Sequence, residues 1–138
     1  MSHSKIEPIA DPVAEARRYV QNAKDLLNTK AQLDVGTQSY QDRKYVQMAG
    51  NTLWNSVLLI LDATFHLQKK KGRLSIDDYR YIIGQHDKKL LSFVNQGYDT
   101  MHLAMGYDGN QNKDICQAGL RIANKIIDRC ALMLPKAA

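Results

Sequence analysis

Proline is scarce where it would matter most. Pro8, Pro12 and Pro135 are the only three and all lie near the ends, so about 120 residues between them are free of the strongest helix breaker. Cysteine is as sparse. Cys116 and Cys130 fall on one helical pattern about 21 Å apart along its axis, too far to join in a disulfide. Both read as small core residues. The chain contains no Cys-x-x-Cys spacing, which removes the common structural zinc sites. Long apolar runs are missing too: the longest aliphatic run, Val57 to Leu61, is closed by Asp62, far short of the roughly 20 residues of a spanning helix. The N-terminal MSHSKIEPIADP has no apolar signal core. The protein is therefore expected to be soluble and cytoplasmic, with no membrane partner. Neither a metal-ligand set nor a cofactor fingerprint is legible, and no cofactor is expected.

What is present suits one globular domain over residues 1–138. The chain is 44% hydrophobic and 24% charged, enough to build a core at this length. Residues 1–10 and 135–138 are expected to be flexible ends. A net charge of +5 could suggest an anionic partner. Its one dense cluster, Lys69-Lys70-Lys71-Gly72-Arg73, stands where a long apolar pattern stops, as a C-terminal cap would. Aromatic residues are not interleaved with it, so a nucleic-acid partner is not favoured.

Asp11-Pro12 is a helix start, an N-cap carboxylate followed by proline at the first helical position. Val13, Ala16, Val20, Ala23, Leu27 and Ala31 continue it as an apolar stripe over about twenty residues. The second pattern is the longest, from Tyr40 to Lys70, with Val46, Ala49, Leu53, Val57, Ile60, Thr64 and Leu67 on its centre line. Ser75 and Asp78 resemble a capping box that opens a short helix through Ile76, Tyr79 and Ile83, which Gly84 should end or kink. A fourth helix from Asp87 turns Leu90, Leu91, Val94, Tyr98, Met101 and Met105 inward. After the turn signal Asp108-Gly109-Asn110 a last helix from Asn112 to Leu134 carries Ile115, Gly119, Ile122, Ala123, Ile126, Cys130 and Met133. No strand is expected. The sum is an all-α fold, an antiparallel up-and-down helical bundle of four long helices plus one short inserted helix. Gly97, Ala104 and Gly119 would allow close backbone approach.

The segment GYDTMHLAMGYDG, from Gly97 to Gly109, holds the densest chemistry. Tyr98 and His102, four apart, share a helix face with Met101 and Met105. A phenol and an imidazole on an apolar face need partners once they leave water. On the long helix Asn51, Asn55, Asp62 and His66 form a polar stripe opposite the core line, flanked by Leu58, Leu59 and Phe65. That helix is thus apolar over more of its circumference than one core face requires. Neighbours on both sides or a subunit interface would explain the surplus. Asp62 and His66 could pair as carboxylate and imidazole, but no nucleophile accompanies them. Trp54, about 100° off the core line, reads as a packing residue under the short third helix or as the wall of a pocket.

The order of elements, with YVQMAGNTLWNSVLLILDATFHL on the second helix, SIDDYRYII in the connection and GYDTMHLAMGYDG ending the fourth helix, resembles the HEPN-like helical-bundle superfamily. It is most similar to an uncharacterised group of small Bacteroidetes proteins. The resemblance spans Asp11 to Leu134. Active members carry an arginine followed after about four to six residues by a histidine, and commonly dimerise so that two motifs face each other. Arg80 and His86, in RYIIGQH, have a permitted spacing. They would serve a metal-independent ribonuclease or toxin in which the arginine neutralises phosphate and the histidine moves the proton. Before His102 the corresponding positions hold Asn95, Gln96 and Gly97 instead of an arginine. The leading expectation is a non-catalytic HEPN-like module that binds a protein or small-molecule partner, as a homodimer. A third reading is a small-ligand or nucleotide pocket lined by Trp54, Tyr98, His102 and Tyr107, with Asp62 and His66 as further binding candidates.

Overall fold

The computed structural model describes residues 10–67 and 74–135. Most of the expected loose ends, residues 1–9 and 136–138, and the cluster Lys69–Arg73 lie outside the described residues. Helix α1, Pro12–Asp25, starts as its sequence indicates: the Asp11 carboxylate accepts from the Ala14 N–H at 3.0 Å. It widens into a π-helical turn, Leu26–Ala31, closed by the Gln32 N–H donating to the Leu27 carbonyl at 2.9 Å. Ala16, Val20, Ala23, Leu27 and Ala31 all face the core.

A small hairpin follows, where no strand was expected. β1, Leu33–Asp34, pairs antiparallel with β2, Ser39–Tyr40, and places Leu33 opposite Tyr40. Tyr40 therefore does not open the second helix. Its N–H donates to the Gln111 carbonyl at 2.8 Å and its hydroxyl accepts from Gln117 at 2.8 Å. The Asp42 carboxylate accepts from the Lys44 N–H at 3.0 Å, so α2 runs from Arg43 to Phe65.

α2 ends short of the expected Lys70. His66 adopts the left-handed conformation, φ 53°, and its N–H closes on the Asp62 carbonyl. The centre line is buried as expected at Val46, Ala49, Leu53, Val57 and Ile60, and so are Gly50, Trp54, Leu58 and Leu61 beside it. The helix packs against α1, against the last helix and against the segment Tyr98–Tyr107. Of the residues that make up its surplus apolar surface, Leu58 is buried and Leu59 and Phe65 are half-buried against the core. Asn51 and Asn55 remain exposed, whereas Asp62 is half-buried.

The capping box of α3, Ile76–His86, has both bonds: Asp78 N–H to the Ser75 hydroxyl, and Ser75 N–H to the Asp78 carboxylate, each 3.1 Å. Gly84 does not end the helix, which runs on to His86. A Cβ there would lie 3.3 Å from Leu91 Cδ2, so the glycine lets α4, Lys88–Gly97, pack closely. One residue, Asp87, joins the two helices. Its N–H donates to the Ile83 carbonyl at 2.8 Å, and its carboxylate accepts from the Lys89 and Leu90 N–H groups at 3.1 Å each. The Arg129 guanidinium donates to both carboxylate oxygens, at 2.7 and 3.0 Å, and holds the carboxyl below its ordinary range.

α4 continues without a break into a π-helical segment, Tyr98–Tyr107, whose i→i+5 pattern shows in the Asp108 N–H donating to the Leu103 carbonyl at 2.8 Å. Gly109, φ 64°, makes the turn. α5, Lys113–Met133, is capped by Asn112, which accepts from the Ile115 N–H at 3.1 Å. Met133, expected inward, is 41% exposed at the helix's last residue. Cys116 and Cys130 are buried free thiols, and burial pushes them up to about 12 and about 11. α1, α2, α4 with its π-helical continuation, and α5 form an up-and-down antiparallel bundle, with α3 inserted against α4. Among the described residues no helix is long and apolar enough to cross a membrane.

Candidate functional site

The third helix, the middle of α2 and the π-helical segment meet around a partly open cavity of about 180 Å³. Its walls are Trp54 and Leu58 from α2, Leu74 and Ile76 at the entry to α3, Tyr79, Tyr98 and His102. Each wall has a local cause. The capping box fixes where α3 begins, so Ile76 and Tyr79, one turn apart, face α2 together. Tyr98 and His102 share a face because the helix carries them through the π-helical segment one turn apart. Gly50 lets that segment approach α2. A Cβ at this position would meet Met105 Cβ at 2.5 Å, the Gly106 nitrogen at 2.6 Å and the Met101 carbonyl at 2.7 Å.

Three rings form the inner wall. Tyr98 packs edge-on to Trp54 with centroids 5.7 Å apart and planes at 74°. His102 lies 5.8 Å from Trp54 and 5.1 Å from Tyr98, tilted by 33° and 41°. These separations fall in the range where aromatic pairs attract. Beside them, the Arg80 guanidinium carbon sits 5.2 Å from the centroid of Tyr98. Arg80 Nε donates to Asn95 at 2.8 Å and one terminal nitrogen to Asp77 at 3.2 Å. At the other end of the wall the Tyr79 hydroxyl donates to the Asp62 carboxylate at 2.7 Å.

Trp54 is only 6% exposed, yet among the described residues its indole N–H has no hydrogen-bond partner. No side-chain nitrogen or oxygen of the described residues is both unpaired and sealed from solvent. The indole N–H is therefore not sealed from solvent, and Trp54 is one wall of the cavity.

The structure brings Trp54, Tyr98 and His102 together and turns Asp62 to the cavity's Tyr79. It leaves Tyr107 apart, 76% exposed at the far end of the π-helical segment. His66 is exposed at the left-handed end of α2. Arg80 and His86 lie on α3 about 9 Å and about 120° apart. Arg80 is committed to Tyr98 and Asn95, whereas the His86 ring lies 5.5 Å from Phe65. In the sequence Ile76 and Tyr79 stood on the short helix but were not among the candidate site residues. Their signal was the capping box, which places both under Trp54. Among the described residues no three histidine, cysteine, aspartate or glutamate side chains converge on a metal position.

Residues 11–131 match the model of a domain family of unknown function, DUF5618. A solved structure, a protein of unknown function from Dyadobacter fermentans, is 41% identical, with a TM-score of 0.82, over 89% of this chain and 96% of that one. No curated protein matches the chain.

Proposed function

The chain belongs to the DUF5618 family, and we propose that it is a binding module, without catalytic chemistry of its own, that captures one ring-sized group of a partner molecule in the aromatic cavity. One observation carries this: a cavity of about 180 Å³ walled by the packed rings of Trp54, Tyr98 and His102. Apolar cavities of about 150 Å³ hold benzene, whereas drug-sized ligands need about 300 Å³ or more. A single ring therefore fits and a larger molecule would leave most of itself outside. The helix order and the aromatic α2 support placing the chain among non-catalytic HEPN-like bundles.

Trp54 is the chain's only tryptophan, so its emission reports on the cavity directly. Titration with benzyl alcohol, a neutral ring probe, should quench or shift that emission saturably. Ile76→Trp, which fills the cavity from α3, should weaken binding about tenfold or more, read by ligand-observed NMR. An unsaturable, linear response of the native protein would overturn the reading.

A further inference from the structure

We propose that the group this cavity takes is a monocyclic aromatic carboxylate, its ring among Trp54, Tyr98 and His102 and its carboxylate on Arg80. The inference rests on the binding-module reading above and adds the chemistry of the ligand. The volume, about 180 Å³, admits one six-membered ring with its substituent at the open side. Trp54 and His102 incline to each other by 33° and Tyr98 stands at 74° to the indole, so a flat ring meets both faces and edges.

Next to the wall stands one fixed cation, Arg80. Arg80 is not itself part of the cavity wall but stacks on Tyr98, which is. Its guanidinium is held in place by Tyr98 at 5.2 Å, by Asn95 at 2.8 Å and by Asp77 at 3.2 Å. One terminal nitrogen makes no bond among the described residues. Asp77 has an 88% exposed side chain, so a bound anion competes with a largely hydrated carboxylate. A guanidinium fork fixed in this way suits a planar carboxylate better than a mobile ammonium would. The acidic groups nearest the wall are already engaged, Asp62 by Tyr79 and Asp77 by Arg80.

The test compares benzoate with benzyl alcohol, which share the ring and differ in charge, by Trp54 emission on the full chain. Benzoate should bind at least about tenfold more tightly, and about 0.5 M salt should weaken benzoate while leaving benzyl alcohol unchanged. Arg80→Gln should bring benzoate down to the affinity of benzyl alcohol and leave benzyl alcohol within about twofold, which also shows that the cavity is intact. Equal, salt-insensitive binding of both probes by the native protein would overturn the carboxylate and leave the binding module standing. Failure of both to saturate would overturn the two together. A benzoate preference that survives in Arg80→Gln would overturn the assignment of the carboxylate to Arg80.

Discussion

Gly50 decides whether the cavity exists. A methyl group at this position meets two backbone atoms of the π-helical segment and Met105 Cβ, all within 2.7 Å, so the segment would have to move outward as a unit. Alanine gains about 1 kcal/mol in helix propensity over glycine. Overpacking against backbone costs about 3 kcal/mol or more, so the clash wins. Gly50→Ala should lower the stability measured by urea unfolding by about 2 kcal/mol and detach His102 from Trp54. Unchanged stability would show that the contact is softer than its geometry. Glycines at positions 97 and 119 were visible in the sequence as packing devices because they sit on apolar faces. Gly50 lay between Ala49 and Asn51 on a helix whose second apolar face had no assigned neighbour, so its role emerged only with the neighbour in place.

At the scale of elements, the corner between α3 and α4 depends on a carboxylate. Asp87 caps α4 through two N–H groups and pairs with Arg129 from α5. Its folded carboxyl lies below the ordinary value, with the Arg129 hydrogen bond the largest cause. The contribution to stability is therefore fully present above the unfolded value, near pH 4, and is lost as the pH falls through the lowered folded value. Asp87→Asn keeps the cap and loses the charge pair. Its stability at pH 7 should be lower, and the native protein's loss on acidification below about pH 4 should be flattened. Parallel acid profiles for the two proteins would refute this.

The ends of elements show what can be read from side chains alone. Asp11-Pro12 and Ser75 with Asp78 are local signals, since the side chain that caps lies within three residues of the N–H it accepts from, and both starts came out of the sequence. The hairpin did not, because strands of two residues give alternation no room to show. The π-helical segments escaped for a different reason. Met101 and Met105, four apart within the segment, are both buried, as one face of an α-helix would bury them. His66 ended α2 through backbone conformation, which no glycine announced. The aromatic members of the cavity, Trp54, Tyr98 and His102, were legible as chemistry on a helix face. That they meet required the register of α3 and the close approach at Gly50.

For the whole molecule, the two ends of the bundle are held by different forces. At one end backbone groups join distant parts of the chain: Tyr40 to Gln111, Lys113 to Gln38 and Asp42 to Ala31, at 2.8, 3.0 and 3.2 Å, with Ser39 bridged to Asn112. At the other, where α2 stops and α3 turns into α4, the described long-range links are made by side chains, Asp87 with Arg129 and Phe65 with His86. Hydrogen exchange should follow this division. Amides of α3 are expected to exchange faster than those of α2 and the first half of α5, by at least about tenfold. Uniform protection across all five helices would contradict it. With exchange divided in this way, the backbone bonds act as a latch at one end and the α3 wall of the cavity belongs to the end that opens. A guest would then enter as a wedge enters a split log, prising α3 away while the hairpin end stays shut, so the hold on a ligand is set by how reluctantly that one short helix lifts.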